Sequence, residues 1–128
     1  SFGALITAGT VFAAEPSRTA TFHAFALAKK VGVPIIFDVD YRPYSWPSPK
    51  VASDVLSRAA ADCDMIVAND ISGKNTGFAS PTNAVTILAR DGSEQAIELA
   101  PKREIAEAIL NRIQTLRMRA LAPQPSVH

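Results

Sequence analysis

The chain has 128 residues, 48% of them hydrophobic and 20% charged, the make-up of one folded globular domain with a single core; a disordered chain and two independent domains are both excluded. Thirteen Lys and Arg against twelve Asp and Glu leave a formal charge of +1, so no general field draws nucleic acid or an anionic membrane surface, and neither is an expected partner. The single cysteine, Cys63, excludes an internal disulfide and a multi-cysteine metal site, and fits a reducing, cytoplasmic setting.

Ser1 opens the chain without methionine and leads straight into Phe2-Gly3-Ala4-Leu5-Ile6-Thr7, an apolar interior strand, so we expect a start cut out of something longer. No basic leader precedes this stretch, and no run reaches the roughly 20 apolar residues of a membrane span. A first helix is predicted from Ser17, read as its N-cap, with Phe22, Phe25, Ala26 and Leu27 around one side and Gly32 as its end. Val33 to Val39 form a second strand, an unbroken apolar run of the kind buried on both faces of a parallel sheet.

Ser48 with Pro49 in the first helical position starts a second helix, which places Val51, Val55 and Ala59 on one face. Cys63 falls at its end, where a small buried hydrophobe is expected. Met65 to Ala68 form the third strand. With right-handed crossovers this β-α-β-α-β order predicts a three-stranded parallel sheet.

The pattern then changes. Ser72-Gly73-Lys74-Asn75-Thr76-Gly77 is a polar loop without the spacing of a phosphate-binding P-loop. Asn83 to Arg90 and Glu94 to Leu99 flank Asp91-Gly92, a hairpin turn signal. Pro101 opens a last helix with Ile105, Ile109 and Ile113 at four-residue spacing. The fold expected is α/β, a three-layer Rossmann-like single domain over residues 1–121: the parallel unit, then an antiparallel β-hairpin and a C-terminal helix. The tail, residues 122–128, has two prolines and is predicted to be disordered.

The densest polar constellation is Asp38-Val39-Asp40-Tyr41-Arg42-Pro43-Tyr44-Ser45-Trp46, directly after the second strand. Ligands of parallel sheets bind at the carboxyl ends of the strands. There Arg42 could grip a carboxylate or phosphate through a two-point fork. Alternatively Arg42 neutralises Asp38 or Asp40, and Trp46 fills the core. Asn69 and Asp70 end the third strand beside Arg42, where such a pair either lines a polar cleft or satisfies backbone groups of the turn. His23, within the first helix, is expected to be a surface or edge residue rather than a catalytic base, and His128 belongs to the tail. No catalytic set and no metal site is predicted.

Gly9-Thr10, Glu15-Pro16-Ser17-Arg18 and the run from Asp38 to Trp46 resemble 5-dehydro-2-deoxygluconokinase, a ribokinase-like family of sugar-acid kinases, over residues 1 to about 70. The resemblance implies substrate contacts from Arg42, Asp38, Asp40 and Arg18, with Arg42 on the substrate carboxylate; Asp40 replaces the asparagine of the wider pattern. In Asn69-Asp70-Ile71-Ser72, serine stands where the family's Asn-x-x-Glu element has glutamate, and its Gly-Ala-Gly-Asp segment occurs nowhere in the 128 residues. Phosphoryl transfer depends on such positioning and charge neutralisation, so a working kinase is not expected.

From Asp64 to about Ile113 the chain resembles instead the C-terminal end of phosphopantothenoylcysteine synthetase, through Asp64 to Ser72, Gly77-Phe78-Ala79-Ser80, Asn83 to Leu88 and Lys102 to Ala106. The family's glycine-rich nucleotide segment, catalytic asparagine and triphosphate lysines lie upstream of this match, where the kinase-like half stands. The two halves, 1–70 and 64–121, meet at a shared apolar strand, a crossover that preserves the sheet.

These resemblances imply a chimeric or fragment-derived domain without either catalytic set, binding an anionic metabolite or nucleotide weakly. ATP or CTP with magnesium are the candidate cofactors, and Asn69 is the nucleotide-binding candidate. Two alternatives stand beside it: an enzyme, kinase-like or ligase-like, whose site is completed in a homodimer, and a structural or interaction module with no ligand.

Overall fold

The computed structural model describes residues 3–70 and 82–121. Its strands are β1 (Leu5–Ala8), β2 (Ile35–Asp38), β3 (Met65–Asp70), β4 (Thr82–Ala89) and β5 (Glu94–Pro101), and its helices α1 (Ser17–Val31), α2 (Pro49–Ala61) and α3 (Lys102–Leu121). The three apolar runs form the parallel β1-β2-β3 unit as expected. The hairpin is no separate ribbon. β4 pairs antiparallel along the whole of β3, from Met65 opposite Ala89 to Asp70 opposite Ala84. One five-stranded mixed sheet in the order β1-β2-β3-β4-β5 results, with β3 in the middle. An unpaired edge of β3 would leave a row of backbone donors and acceptors open, and the hairpin closes it.

Alternation along β2 explains the layers. Ile35 and Phe37 point into a core formed with Phe25 and Ala28 of α1 and Ala52 and Ala59 of α2. Ile36 points the other way, into a second core with Met65, Val67, Val85 and Ile87, closed by Ile105 and Ile113 of α3. Helices therefore cover both faces of the sheet, which is the three-layer arrangement. Phe12, fully buried, anchors the first core through tilted and edge-on contacts with Phe22, Phe25 and Phe37 at 5.0–5.7 Å. Burying one such ring stabilises by roughly 2–3 kcal/mol.

The helix ends follow local chemistry, with two corrections. The Ser48 hydroxyl accepts from the Val51 N–H at 3.2 Å, so it is the N-cap of α2. Ser17 is not the N-cap of α1. It is the first helical residue, after Pro16, and its hydroxyl lies within hydrogen-bonding distance of the Val11 and Ala14 carbonyls, at 2.8 and 3.0 Å, with one proton to donate between them. Glu15 serves the helix start instead, its carboxylate accepting from the Thr19 N–H. The buried stripe of α1 is Phe25 and Ala28 with Phe22 packed beside them, while Ala26 and Leu27 face outward. A 3.6-residue period puts 22, 25 and 28/29 on one face and leaves 26 and 27 beyond its rim.

At the amino ends of the parallel strands, Asp64 ties the two halves together. Its carboxylate accepts from the Ile35 N–H at 2.8 Å and lies 3.4 Å from the Arg90 guanidinium, which also donates to the Cys63 carbonyl. Among the described residues, no helix is long and apolar enough to cross a membrane. The predicted disordered tail and the Ser72–Gly77 loop lie outside the described residues.

Candidate functional site

β1, β2 and β3 are parallel, so their carboxyl ends share one edge of the sheet. Two backbone features shape it. The first is a close approach between the chain leaving β1 and the chain leaving β2: a β-carbon on Gly9 would stand 1.9 Å from the Val39 carbonyl oxygen. Only glycine fits there. The second is Asp40, at φ 38, the one non-glycine residue with positive φ among the described residues. Aspartate tolerates this left-handed region better than most residues. The turn it makes sends the chain into a 3-10 turn, Pro43–Ser45, and then to Trp46.

This edge gathers the residues singled out in the sequence. Asp38 ends β2, and the Asn69 amide, exposed on β3, lies at hydrogen-bonding distance, 3.5 Å, from its carboxylate. The Arg42 guanidinium is 3.2 Å from the Asp40 carboxylate, both side chains being about a quarter exposed. Burial pushes the Asp38 carboxyl above its ordinary range and the neighbouring charge of Asp40 adds to this, against a backbone hydrogen bond at Asp40 and the charge of Arg42. The Arg42 guanidinium is held even more firmly protonated than usual, chiefly by a side-chain hydrogen bond with Tyr44 and also by Asp40.

Arg18 stands near the same edge in a different role. Its guanidinium donates to the Phe12 and Ala13 carbonyls at 2.7 and 3.1 Å, clasping the 3-10 turn Gly9–Phe12 that follows β1. It also lies 6.0 Å from the centre of the Trp46 ring. Trp46 is buried among Phe12, Phe25 and Phe37, and its indole N–H is buried without a partner in the described residues. Tyr44 and Gly9 lie in the stretches that carry the kinase resemblance but are not among the contact residues it implies. Tyr44 gave no signal beyond its place two residues after Arg42, whereas a glycine at a strand end is a recognisable mark of close backbone approach.

The carboxylates are a poor fit for magnesium on their own. Asp38 is engaged by Asn69 and Asp40 by Arg42, and among the described residues no group of three or more His, Cys, Asp or Glu could hold a metal ion. The arrangement can present one permanent cation with a planar fork of donors, on the same edge of the sheet as the exposed Asn69 amide.

About half of the chain is similar to 5-dehydro-2-deoxygluconokinases. The protein of Geobacillus thermodenitrificans is 43% identical over 63 residues, which cover 49% of this chain and 19% of that protein. That of Bacillus anthracis is 44% identical over 64 residues. The chain thus spans about a fifth of the length of the curated relatives it matches. Among solved structures, the apo fructokinase of Vibrio cholerae shares the fold, at a TM-score of 0.55 and 18% identity over 94% of this chain and 49% of that one. The C-terminal domain of the coenzyme A biosynthesis bifunctional protein CoaBC is 27% identical over 70% of this chain and 43% of that one, with a TM-score of 0.45. Residues 50–116 match the DNA/pantothenate metabolism flavoprotein C-terminal domain, so the similarity expected from Asp64 onward begins earlier, within α2, and takes in β3, the hairpin and most of α3. Just over half of its residues lie in this match, and the chain belongs to the DNA/pantothenate metabolism flavoprotein C-terminal domain family.

Proposed function

We propose that this chain is an anion-binding α/β domain that holds a small carboxylate or phosphate compound weakly at the carboxyl edge of β2 and β3 and carries out neither phosphoryl transfer nor ligation. Arg42 supplies the two-point contact, Asn69 a neutral donor, and Asp38 and Asp40 orient these two. The observation that carries the reading is the convergence of Arg42 with Asp40 and of Asn69 with Asp38 at one open edge. The left-handed Asp40 supports it, since uncommon backbone conformations cluster at binding sites. A sugar acid or a nucleoside triphosphate both have the required chemistry, and a reducing compartment suits the lone buried Cys63 thiol.

Calorimetric titration with gluconate, inorganic phosphate and ATP with magnesium tests this. Arg42→Ala should weaken anion binding by about tenfold or more, and Arg42→Lys should recover only part because a point charge cannot reproduce the fork. Equal affinity in all three proteins would show that Arg42 is scaffold. Turnover of ATP with a sugar acid, or of CTP with phosphopantothenate and cysteine, that tracks the protein and is lost in Arg42→Ala would overturn the non-catalytic part.

One observation favours a second reading, a homodimer whose site is completed across subunits. β1 is an outer strand of the sheet and its Ile6 is 61% exposed, an arrangement that invites pairing. Sedimentation over a range of concentrations decides it, because a strict monomer has no second subunit to draw on.

A further inference from the structure

A second cleft lies at the opposite end of the sheet from Arg42, where α1 and α2 end and β2 and β3 begin. It encloses about 490 Å³, within the range of small-molecule sites. Val33, Pro34 and Leu116 give it an apolar floor, and two ion pairs stand around it, Lys29 with Asp62 and Arg90 with Asp64.

Both cations keep spare donors. Asp64 already accepts from the Ile35 N–H and faces Arg90 with its other oxygen. Lys29 has three N–H donors and gives one to Asp62; Arg90 has five, of which one reaches the Cys63 carbonyl and one faces Asp64. In each pair the cation is also the more exposed member, Lys29 at 51% against Asp62 at 37%, and Arg90 at 55% against Asp64 at 34%. The carbonyl ends of α1 and α2, which would repel an anion, are in part satisfied by the Gly32, Val33, Asp62 and Cys63 N–H groups. The donors are therefore the more accessible groups of the cleft, and an entering anion meets them ahead of the more covered carboxylates.

We propose that this cleft binds a small carboxylic acid with an apolar body, its carboxylate on Lys29 and Arg90 and its hydrocarbon against Val33, Pro34 and Leu116. The site is independent of the one at Arg42. The test is calorimetric titration of the full chain with hexanoate, acetate and hexylammonium, with amide NMR shifts at Gly32 and Arg90 reporting location. Hexanoate should saturate, bind more tightly than acetate, and outcompete hexylammonium. Lys29→Gln should weaken hexanoate by about tenfold, Leu116→Asn should weaken hexanoate but not acetate, and removing a charge that belongs to neither site, Lys50→Gln on the exposed side of α2, should leave both unchanged. Urea midpoints confirm that each variant folds, and Arg90→Gln repeats the charge test if Lys29→Gln does not. Absence of saturation, equal binding of hexylammonium, or unchanged hexanoate affinity in the folded charge variants would overturn the proposal.

Discussion

The Gly9 α-carbon and the Val39 carbonyl oxygen are packed so closely that no side chain fits between them: a β-carbon at Gly9 would sit 1.9 Å from that oxygen and 3.3 Å from Leu56. The contact joins the segments leaving β1 and β2, and so sets where the Asp38–Arg42 segment lies. Gly9→Ala should force one backbone away and destabilise the fold by about 3 kcal/mol, as overpacking against rigid atoms does. Urea denaturation checks the stability, and anion titration of the surviving folded protein should show the Arg42 site weakened with it. An unchanged midpoint would show that the two segments move apart freely.

The two helix-start serines should behave differently. Ser48→Ala removes the N-cap of α2 and should lower stability by about 1 kcal/mol. Ser17→Ala should cost about half as much, because Ser17 is exposed and the Val11 and Ala14 carbonyls it serves can turn to water. Denaturant midpoints of the two variants give the ranking directly.

Asp38 should make stability depend on pH. Its carboxyl titrates higher in the folded protein than its ordinary value of 3.8, so the folded state binds this proton more tightly than the unfolded chain does. Its contribution is fully present below 3.8 and is lost as pH rises through the folded-state value. Asp38→Asn keeps an acceptor for Asn69 and removes the charge. The variant should be the more stable protein at neutral pH, by roughly a few tenths molar in urea midpoint, with the advantage shrinking on acidification.

Cys63 should be chemically silent in the folded protein. Burial pushes its thiol up to about 12, helped by the charges of Asp62 and Asp64 and opposed by Arg90 and Lys29. A thiol reagent at mildly alkaline pH should label it slowly until urea unfolds the chain. The raised value adds a second effect: stability is intact below the unfolded value near 9.0 and falls as pH rises toward 12. Cys63→Ala should remove that alkaline slope while losing little packing.

Much of the architecture was legible in the residues. The apolar runs at 5–7, 33–39 and 65–68 became the parallel strands, Asp91-Gly92 became the hairpin turn with Gly92 at φ 86, and Ile105, Ile109 and Ile113 became the packed stripe of α3. These are local signals, set by side-chain period and by the backbone freedom of particular residues. The grouping of Asp38, Asp40 and Arg42 was equally readable, because they adjoin in sequence. What only the tertiary structure decided were the relations between distant segments. Pairing of β4 with β3, the clasp of Arg18 on the Phe12 and Ala13 carbonyls, the approach of Gly9 to Val39 and the tie from Arg90 to Asp64 and Cys63 all depend on packing between elements. No single segment carries the energy of such contacts, so no single segment's pattern announces them.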